Sequence, residues 1–189
     1  MIKQELRKLY KQKRSQLSGK ERLKLDDLLL IQFQQLSFNH VVNVLSYWPL
    51  QEQQEINTFL FTDYLQFRMP GMQLCFPVID PATRSFKAFA VNEDTRFALN
   101  AYKIGEPVDG QEIPAGELDL VIAPLLCFDK KGYRVGYGKG FYDRFLQQCR
   151  ADVIKAGLSY FEPEERIEDI DEFDVPLSVC ITPHNIYEF

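Results

Sequence analysis

One stretch decides the fold: residues Leu118 to Arg144, which read LDLVIAPLLCFDKKGYRVGYGKGFYDR. Its apolar start, Leu118 to Ala123, predicts a strand, and alternating glycines with cations and a closing carboxylate follow. Glycine allows a positive φ and brings backbone N–H groups close to anionic oxygens, and a helix that begins here adds its positive dipole end. We therefore expect a polyphosphate site in which Arg134 and Lys139 offset phosphate charge and Asp143 holds a hard cation such as Mg²⁺.

This glycine loop matches neither of the two commonest nucleotide fingerprints. Lys139 is followed by Gly140, where a Walker loop needs Ser or Thr, and Gly136, Gly138 and Gly140 are spaced by two, unlike a dinucleotide loop. A glycine-rich hairpin turn over an ordinary strand is the alternative, although a turn needs only one or two glycines. The pattern favours a less common nucleotide loop.

Strand-like and helix-like patterns alternate along the chain. Helices are predicted over the first 16 or so residues, after a capping box at Ser18 to Glu21, and after a cap at Asn57. Strands are predicted over residues 41–48, 73–78, 86–91, 118–123, 153–158 and 177–182. This alternation indicates an α/β fold, a single layered domain over residues 1–189 with a mostly parallel central sheet flanked by helices.

The carboxyl ends of parallel strands are where such sheets bind ligands, so the loops after Trp48 and Ala123 are candidate ligand loops. Two connections look long enough to be functional: residues 92–117, and the acidic stretch 162–174, which we expect to bring Asp174 to the site. Lys3 and Arg7 lie one turn apart on the first predicted helix and present two cations together.

Composition narrows the class of protein. A net charge of −5 and a pI near 5.2 argue against a nucleic-acid partner, and no apolar run approaches the ~20 residues of a membrane span. The chain starts with charged, periodic residues and no secretory segment, so we expect a cytoplasmic monomer that acts on small molecules. Cys75, Cys127 and Cys180 are expected as reduced core residues, and two distant histidines give little support to a zinc site or a Ser/His/Asp triad.

With these motifs in place, residues 118–143 closely resemble the signature of the 5-formyltetrahydrofolate cyclo-ligase family. Weaker matches follow the family's order at Lys3–Arg7, Glu55–Thr58, Ile104–Pro107 and Asp174–Leu177. The resemblance implies a fold like that of the sugar-phosphate isomerases and CoA transferases. It also implies the use of ATP and Mg²⁺ to convert 5-formyltetrahydrofolate into 5,10-methenyltetrahydrofolate, through phosphorylation of the formyl oxygen and attack by N10.

The resemblance assigns roles residue by residue. The ATP site implied comprises Lys3, Arg7, Arg134, Gly136, Tyr137, Gly138, Lys139, Gly140, Phe141 and Tyr142. Asp143 and Asp174 would hold Mg²⁺, and Arg134, Lys139 and Asp143 would carry the chemistry. The folate would contact Leu50 and Glu55 together with Tyr137, Gly138, Lys139, Gly140 and Phe141.

Each of these residues also has an ordinary structural interpretation. Glu55 suits the start of a helix, Lys3 and Arg7 a solvated face, Asp143 a first helical turn and Asp174 a turn before proline. Two other functions also remain open. One is a folate- or nucleotide-binding regulatory module without turnover, and the other is an isomerase or CoA-transferase-like enzyme on a similar fold.

Overall fold

The computed structural model of the chain describes residues 1–80 and 82–189. The α-helices are α1 Lys3–Ser15, α2 Gly19–Phe33, α3 Phe59–Arg68 and α4 Phe141–Leu146, with short 3-10 helices at Gln51–Gln53 and Ala115–Glu117. The strands are β1 Asn43–Leu45, β2 Gln73–Asp80, β3 Ser85–Ala90, β4 Phe97–Leu99, β5 Gly105–Pro107, β6 Glu112–Ile113, β7 Leu120–Ala123, β8 Cys127–Phe128, β9 Arg134–Val135, β10 Ile154–Leu158, β11 Val179–Ile181 and β12 Ile186–Glu188.

Eight strands form the central sheet in the order β12-β11-β10-β7-β1-β2-β3-β6. The five middle strands from β11 to β2 run parallel, and β12, β3 and β6 add antiparallel edges. The predicted mostly parallel α/β sheet is therefore confirmed. Each helix in the described residues is too short or too polar to cross a membrane.

Helices cover both faces of this sheet. Phe33 of α2 and Phe61 of α3 are fully buried on one face, where their rings meet edge to face with centroids 5.2 Å apart. On the other face Phe145 of α4 stacks on Phe86 of β3 with centroids 4.2 Å apart. Burial of these rings together with many aliphatic side chains stabilises the fold, at roughly 25 cal/mol per Å² of apolar surface.

The two N-terminal helices begin as the sequence predicts. Ser18 accepts a hydrogen bond from the Glu21 N–H, and the Glu21 carboxylate accepts one from the Ser18 N–H, which completes the predicted capping box. Asn57 caps α3 as predicted, because its Oδ1 accepts a hydrogen bond from the Phe59 N–H at 3.3 Å. Thr58, the next residue, already has helical backbone angles, and its hydroxyl donates to the Tyr47 carbonyl 2.8 Å away.

Several predicted boundaries are wrong. The strand predicted over 41–48 is paired only at Asn43–Leu45, because the chain leaves the sheet to form the ligand-side loop. The helix that follows the glycine loop is short and ends at Leu146. Residues 92–117 are not one open connection, because they contain the β4–β5 hairpin and β6. The Glu106 carboxylate holds this hairpin by accepting hydrogen bonds from the Ile79 N–H and the Asn100 amide.

Candidate active site

The two candidate ligand loops lie side by side. Strands β1 and β7 are adjacent and parallel, so the loops that leave their carboxyl ends meet at the same edge of the sheet, as predicted. The chain after β7 first forms the β8–β9 hairpin and only then the glycine loop, residues 136–140, which leads into α4. The hairpin alternative therefore describes residues 129–133, and the three spaced glycines are a separate feature.

Backbone conformation explains why glycine is needed in this loop. Gly138 and Gly140 adopt φ values of +90° and +67°, which side chains other than glycine rarely tolerate. A Cβ atom on Gly138 would also lie 3.3 Å from the Arg7 guanidinium. Arg7 Nε donates to the Gly136 carbonyl at 2.9 Å, so this predicted cation does reach the glycine loop.

Helix α1 brings its cations to the loop because it packs on the hairpin that precedes the loop. Leu6 and Tyr10 are buried against Leu126, Cys127 and Val135. Lys3 and Arg7 lie on the same side of α1 as Leu6 and Tyr10, so this packing carries both cations to the ligand-side edge, where they make contacts.

Lys3 does not stand free at this edge. Its ammonium contacts the Asp174 carboxylate at 2.5 Å and lies 3.6 Å from Asp171, and the Lys3 and Asp174 side chains are only 12% and 15% exposed. The acidic connection therefore does bring Asp174 to the site, beside a predicted nucleotide-binding cation.

Arg134 and Asp143 form the second ion pair of the site. Arg134 Nη2 lies 2.8 Å from Asp143 Oδ1, and Arg134 Nη1 donates to the Val175 carbonyl at 2.5 Å. The Arg134 side chain is only 4% exposed, so here it holds Asp143 and the 174–175 segment together. Asp143 also accepts a hydrogen bond from the Val175 N–H at 3.2 Å. Because Val175 directly follows Asp174 in the chain, this contact holds Asp143 near Asp174. Direct contact between Arg134 and a ligand stays a prediction.

The carboxylates suit magnesium only together with a ligand. Among the residues that the structure describes, no three His, Cys, Asp or Glu side chains gather closely enough to hold a metal ion alone. Mg²⁺ is commonly bound by one or two carboxylates together with substrate phosphates. Asp143 and Asp174 fit that donor set, since both offer oxygen ligands beside the glycine loop.

Glu55 lies in the loop after β1, which leaves the same edge of the sheet as the chain that leads to the glycine loop. Its Oε2 accepts a hydrogen bond from the Leu50 N–H at 2.7 Å, which joins the two residues predicted to contact folate. Burial raises the pKa of Glu55, and the Leu50 N–H, the Tyr137 hydroxyl and the Arg14 charge oppose that rise. A buried carboxylate of this kind gains from a ligand that donates N–H groups.

The other residues predicted to bind ligand at the glycine loop differ in their exposure and contacts. Lys139 is exposed, so its charge is available at the surface of the loop. Phe141 meets Tyr102 of the β4–β5 hairpin with ring centroids 6.2 Å apart. Tyr142 packs against Phe86 at 4.8 Å, and its buried hydroxyl has no hydrogen-bond partner in the described part of the chain.

Sequence reasoning missed Arg14. It is 3% exposed, and its guanidinium donates to the Tyr137 hydroxyl at 3.0 Å and to the Leu125 carbonyl at 2.7 Å. Its spacing held a signal, since positions 3, 7 and 14 fall on one face of a helix and all carry cations.

The fold and this arrangement define an α/β protein whose two candidate ligand loops meet at the carboxyl edge of a mostly parallel sheet. Known proteins are similar to this chain both in sequence and in structure. The model of the 5-formyltetrahydrofolate cyclo-ligase family matches residues 1–183. The Escherichia coli (strain K12) 5-formyltetrahydrofolate cyclo-ligase is 32% identical over 124 residues, which cover 63% of this chain and 68% of the relative. The Mycoplasma genitalium cyclo-ligase is 27% identical over 184 residues, or 94% of this chain and 97% of the relative.

Structural comparison agrees with the sequence matches. The NMR structure of Aquifex aeolicus 5,10-methenyltetrahydrofolate synthetase superposes with a TM-score of 0.83 at 30% identity, covering 100% of this chain and 93% of the other. The chain therefore belongs to the 5-formyltetrahydrofolate cyclo-ligase family. It is an enzyme of the ligase class that acts in folate metabolism.

Proposed function

We propose that this chain closes 5-formyltetrahydrofolate to 5,10-methenyltetrahydrofolate at the expense of ATP, with Mg²⁺ bound beside the phosphates. Besides the family match, one observation carries the proposal: strands β1 and β7 are parallel neighbours, so the loop that holds Glu55 and the chain that leads to the glycine loop leave the same edge of the sheet. A candidate site for phosphates and a candidate site for a ring with N–H donors thus lie side by side.

The nucleotide half of the site is the glycine loop with Lys3, Arg7 and Lys139. Backbone N–H groups of residues 136–142 and these cations would neutralise the triphosphate. Bound Mg²⁺, held by Asp143 and Asp174, would withdraw negative charge from the phosphate oxygens. Arg134 would fix the Asp143 carboxylate in place, as its 2.8 Å contact suggests.

The folate half of the site is the loop after β1. The Glu55 carboxylate would accept hydrogen bonds from the N–H groups of the pterin ring, beside Leu50. Phe141 and the middle of the glycine loop would pack against the ring system. This arrangement would bring the formyl group next to the terminal phosphate.

The chemistry needs no nucleophilic side chain. The formyl oxygen attacks the γ-phosphorus, and the bond to the β–γ bridging oxygen breaks and releases ADP. N10 then attacks the formyl carbon and loses its proton, and the carbon–oxygen bond breaks so that phosphate leaves. The chain's contribution is orientation and charge neutralisation, which is the usual division of labour in phosphoryl transfer.

An optical assay tests this proposal. We expect the purified full chain to produce the absorbance of the methenyl product from 5-formyltetrahydrofolate only when ATP and Mg²⁺ are both present. A chain that binds folate and nucleotide by calorimetry yet gives no product would instead be the regulatory binding module. A chain that binds neither would refute the proposed site as a whole.

A further inference from the structure

Arg14 is a buried cation that the assigned roles leave unexplained. It lies on α1 and is 3% exposed, with two nitrogens bonded to the Tyr137 hydroxyl and the Leu125 carbonyl. Its Nε is buried without a hydrogen-bond partner in the part of the chain that the structure describes. A charge so deeply buried is costly unless a nearby anion compensates it.

Glu55 is the anion that this arrangement supplies. Arg14 Nη1 donates to the Tyr137 hydroxyl at 3.0 Å, and both the Arg14 charge and the Tyr137 hydroxyl oppose the rise in the pKa of Glu55, as expected for three neighbouring side chains. The contact runs across three parts of the fold: helix α1, the glycine loop and the loop after β1. It is therefore a tertiary contact that joins the nucleotide half of the site to the folate half.

The donors and acceptors of these side chains define which group donates to which. A guanidinium only donates, so the Tyr137 oxygen is the acceptor in the contact with Arg14 Nη1. The single phenolic proton of Tyr137 is then available for the Glu55 carboxylate. Arg14 thus leaves the phenolic proton of Tyr137 free to be donated to Glu55.

Three phenols and one guanidinium interact electrostatically with Glu55. They are Tyr47 after β1, Tyr137 in the glycine loop, Tyr142 on α4 and Arg14 on α1. Burial raises the pKa of each phenol, so all three are neutral near pH 7. Arg14 is consequently the cation that compensates Glu55 in this group.

We infer that Arg14 is a positioning residue for folate: through the Tyr137 hydroxyl it orients the Glu55 carboxylate to accept the N–H groups of the substrate ring. This inference rests on the proposed function, because it takes Glu55 as the folate contact. It adds a residue from α1 to folate recognition, whereas Lys3 and Arg7 on the same helix serve the nucleotide.

The first test needs no ligand. The pKa of Glu55 is measured by carbon-13 NMR of its carboxyl group in the full chain and in four variants: Arg14→Gln, Arg14→Lys, Tyr137→Phe and Arg68→Lys. We expect a higher Glu55 pKa in Arg14→Gln and Tyr137→Phe and a smaller rise in Arg14→Lys, which keeps the charge. Arg68→Lys, an exposed control at the end of α3, should leave it unchanged.

The second test measures binding by calorimetry. Arg14→Gln and Tyr137→Phe should each weaken 5-formyltetrahydrofolate about tenfold at pH 7, with less loss at higher pH, where Glu55 regains its charge. ATP affinity should change less than about twofold, and the double variant should be no weaker than Arg14→Gln alone. Tyr137→Phe removes only a hydroxyl, so it remains informative if Arg14→Gln does not fold.

The outcomes separate this inference from the proposed function. An unchanged Glu55 pKa in both Arg14→Gln and Tyr137→Phe would overturn the inference, and so would an equal loss of folate and ATP affinity. A wild-type chain that fails to bind 5-formyltetrahydrofolate would instead overturn the proposed function. The NMR titration would still test the interaction between Arg14 and Glu55 in that case.

Discussion

The Lys3 ammonium lies 2.5 Å from the Asp174 carboxylate, although 171 positions separate the two residues in the chain. The contact joins the start of α1 to the acidic connection that precedes β11. It also pairs a cation assigned to the nucleotide with a carboxylate assigned to the metal. Binding of a metal–triphosphate complex at these residues would exchange this pair for contacts with phosphate and metal.

The Lys3 contact should stabilise the chain without ligand. Both side chains are mostly buried, so Lys3→Met leaves Asp174 without its cation, and we expect the free energy of unfolding in urea to fall by about 1–3 kcal/mol. Lys130→Met is the matched control, because the Lys130–Glu165 pair is largely exposed and should contribute no more than about 1 kcal/mol. Equal effects of the two substitutions would contradict a special role for the Lys3 contact.

Asp143→Asn tests the metal site. An amide keeps an oxygen for the Arg134 and Val175 contacts, so the chain should unfold cooperatively as before. It removes the charge that a hard cation needs, and the Mg²⁺ concentration for half-maximal activity should rise at least about tenfold. Asp63→Asn, on the exposed side of α3, is the control. An unchanged Mg²⁺ titration in Asp143→Asn would exclude Asp143 as a ligand.

Glu55→Gln tests the folate contact. The glutamine oxygen can still accept from the Leu50 N–H, which preserves the loop, but the charge-assisted bonds to the substrate are lost. We expect the apparent constant for 5-formyltetrahydrofolate to rise about tenfold or more and ATP affinity to stay nearly constant. Glu52→Gln, an exposed neighbour paired with Lys103, should change neither. If Glu55→Gln behaved like this control, the carboxylate would not contact folate.

Asp26 predicts a pH dependence of stability remote from the site. Burial raises its pKa to about 6 from 3.8, although the Tyr160 hydroxyl 2.7 Å away and Arg22 oppose the rise. The folded chain therefore binds this proton more tightly than the unfolded chain, and its stability falls as pH rises from about 4 to about 6. Asp26→Asn removes this effect.

Chemical denaturation at several pH values measures the difference. As the pH rises through this window, the unfolding free energy of Asp26→Asn should increase by about 2 kcal/mol relative to that of wild type. Asp27→Asn, exposed on the same helix, should follow wild type closely. A constant difference between Asp26→Asn and wild type would show that Asp26 does not titrate there.

The position of the site could be predicted from sequence because it depends on topology. Strands before Trp48 and Ala123 in an α/β pattern were enough to bring two loops to one edge, and the glycine spacing marked the loop itself. The contacts that individual charged side chains make could not be predicted from the sequence, since they depend on tertiary packing. The contact of Arg134 with Asp143 could not be predicted from the sequence, and contact of Arg134 with phosphate stays a prediction. Arg14 resembles the solvated lysines around it in sequence, and its burial follows from the packing of α1 on the β8–β9 hairpin.

The short strands were also not predicted from the sequence. Strands β4 and β5 have three residues each, too few to show an alternating pattern, and β5 contains both glycine and proline. Gly105 is required for a tertiary reason, because a Cβ there would lie 2.6 Å from the Trp48 ring. Nothing near Gly105 in sequence reveals that contact.

Transfer of an isotope from substrate to phosphate tests the central claim most directly. The full chain is given 5-formyltetrahydrofolate labelled with oxygen-18 in the formyl group, with ATP and Mg²⁺, and the released phosphate is analysed by mass spectrometry. Phosphorylation of the formyl oxygen predicts one labelled oxygen in each phosphate and one phosphate for each methenyl product. Unlabelled phosphate, or methenyl product formed without ATP, would contradict the account.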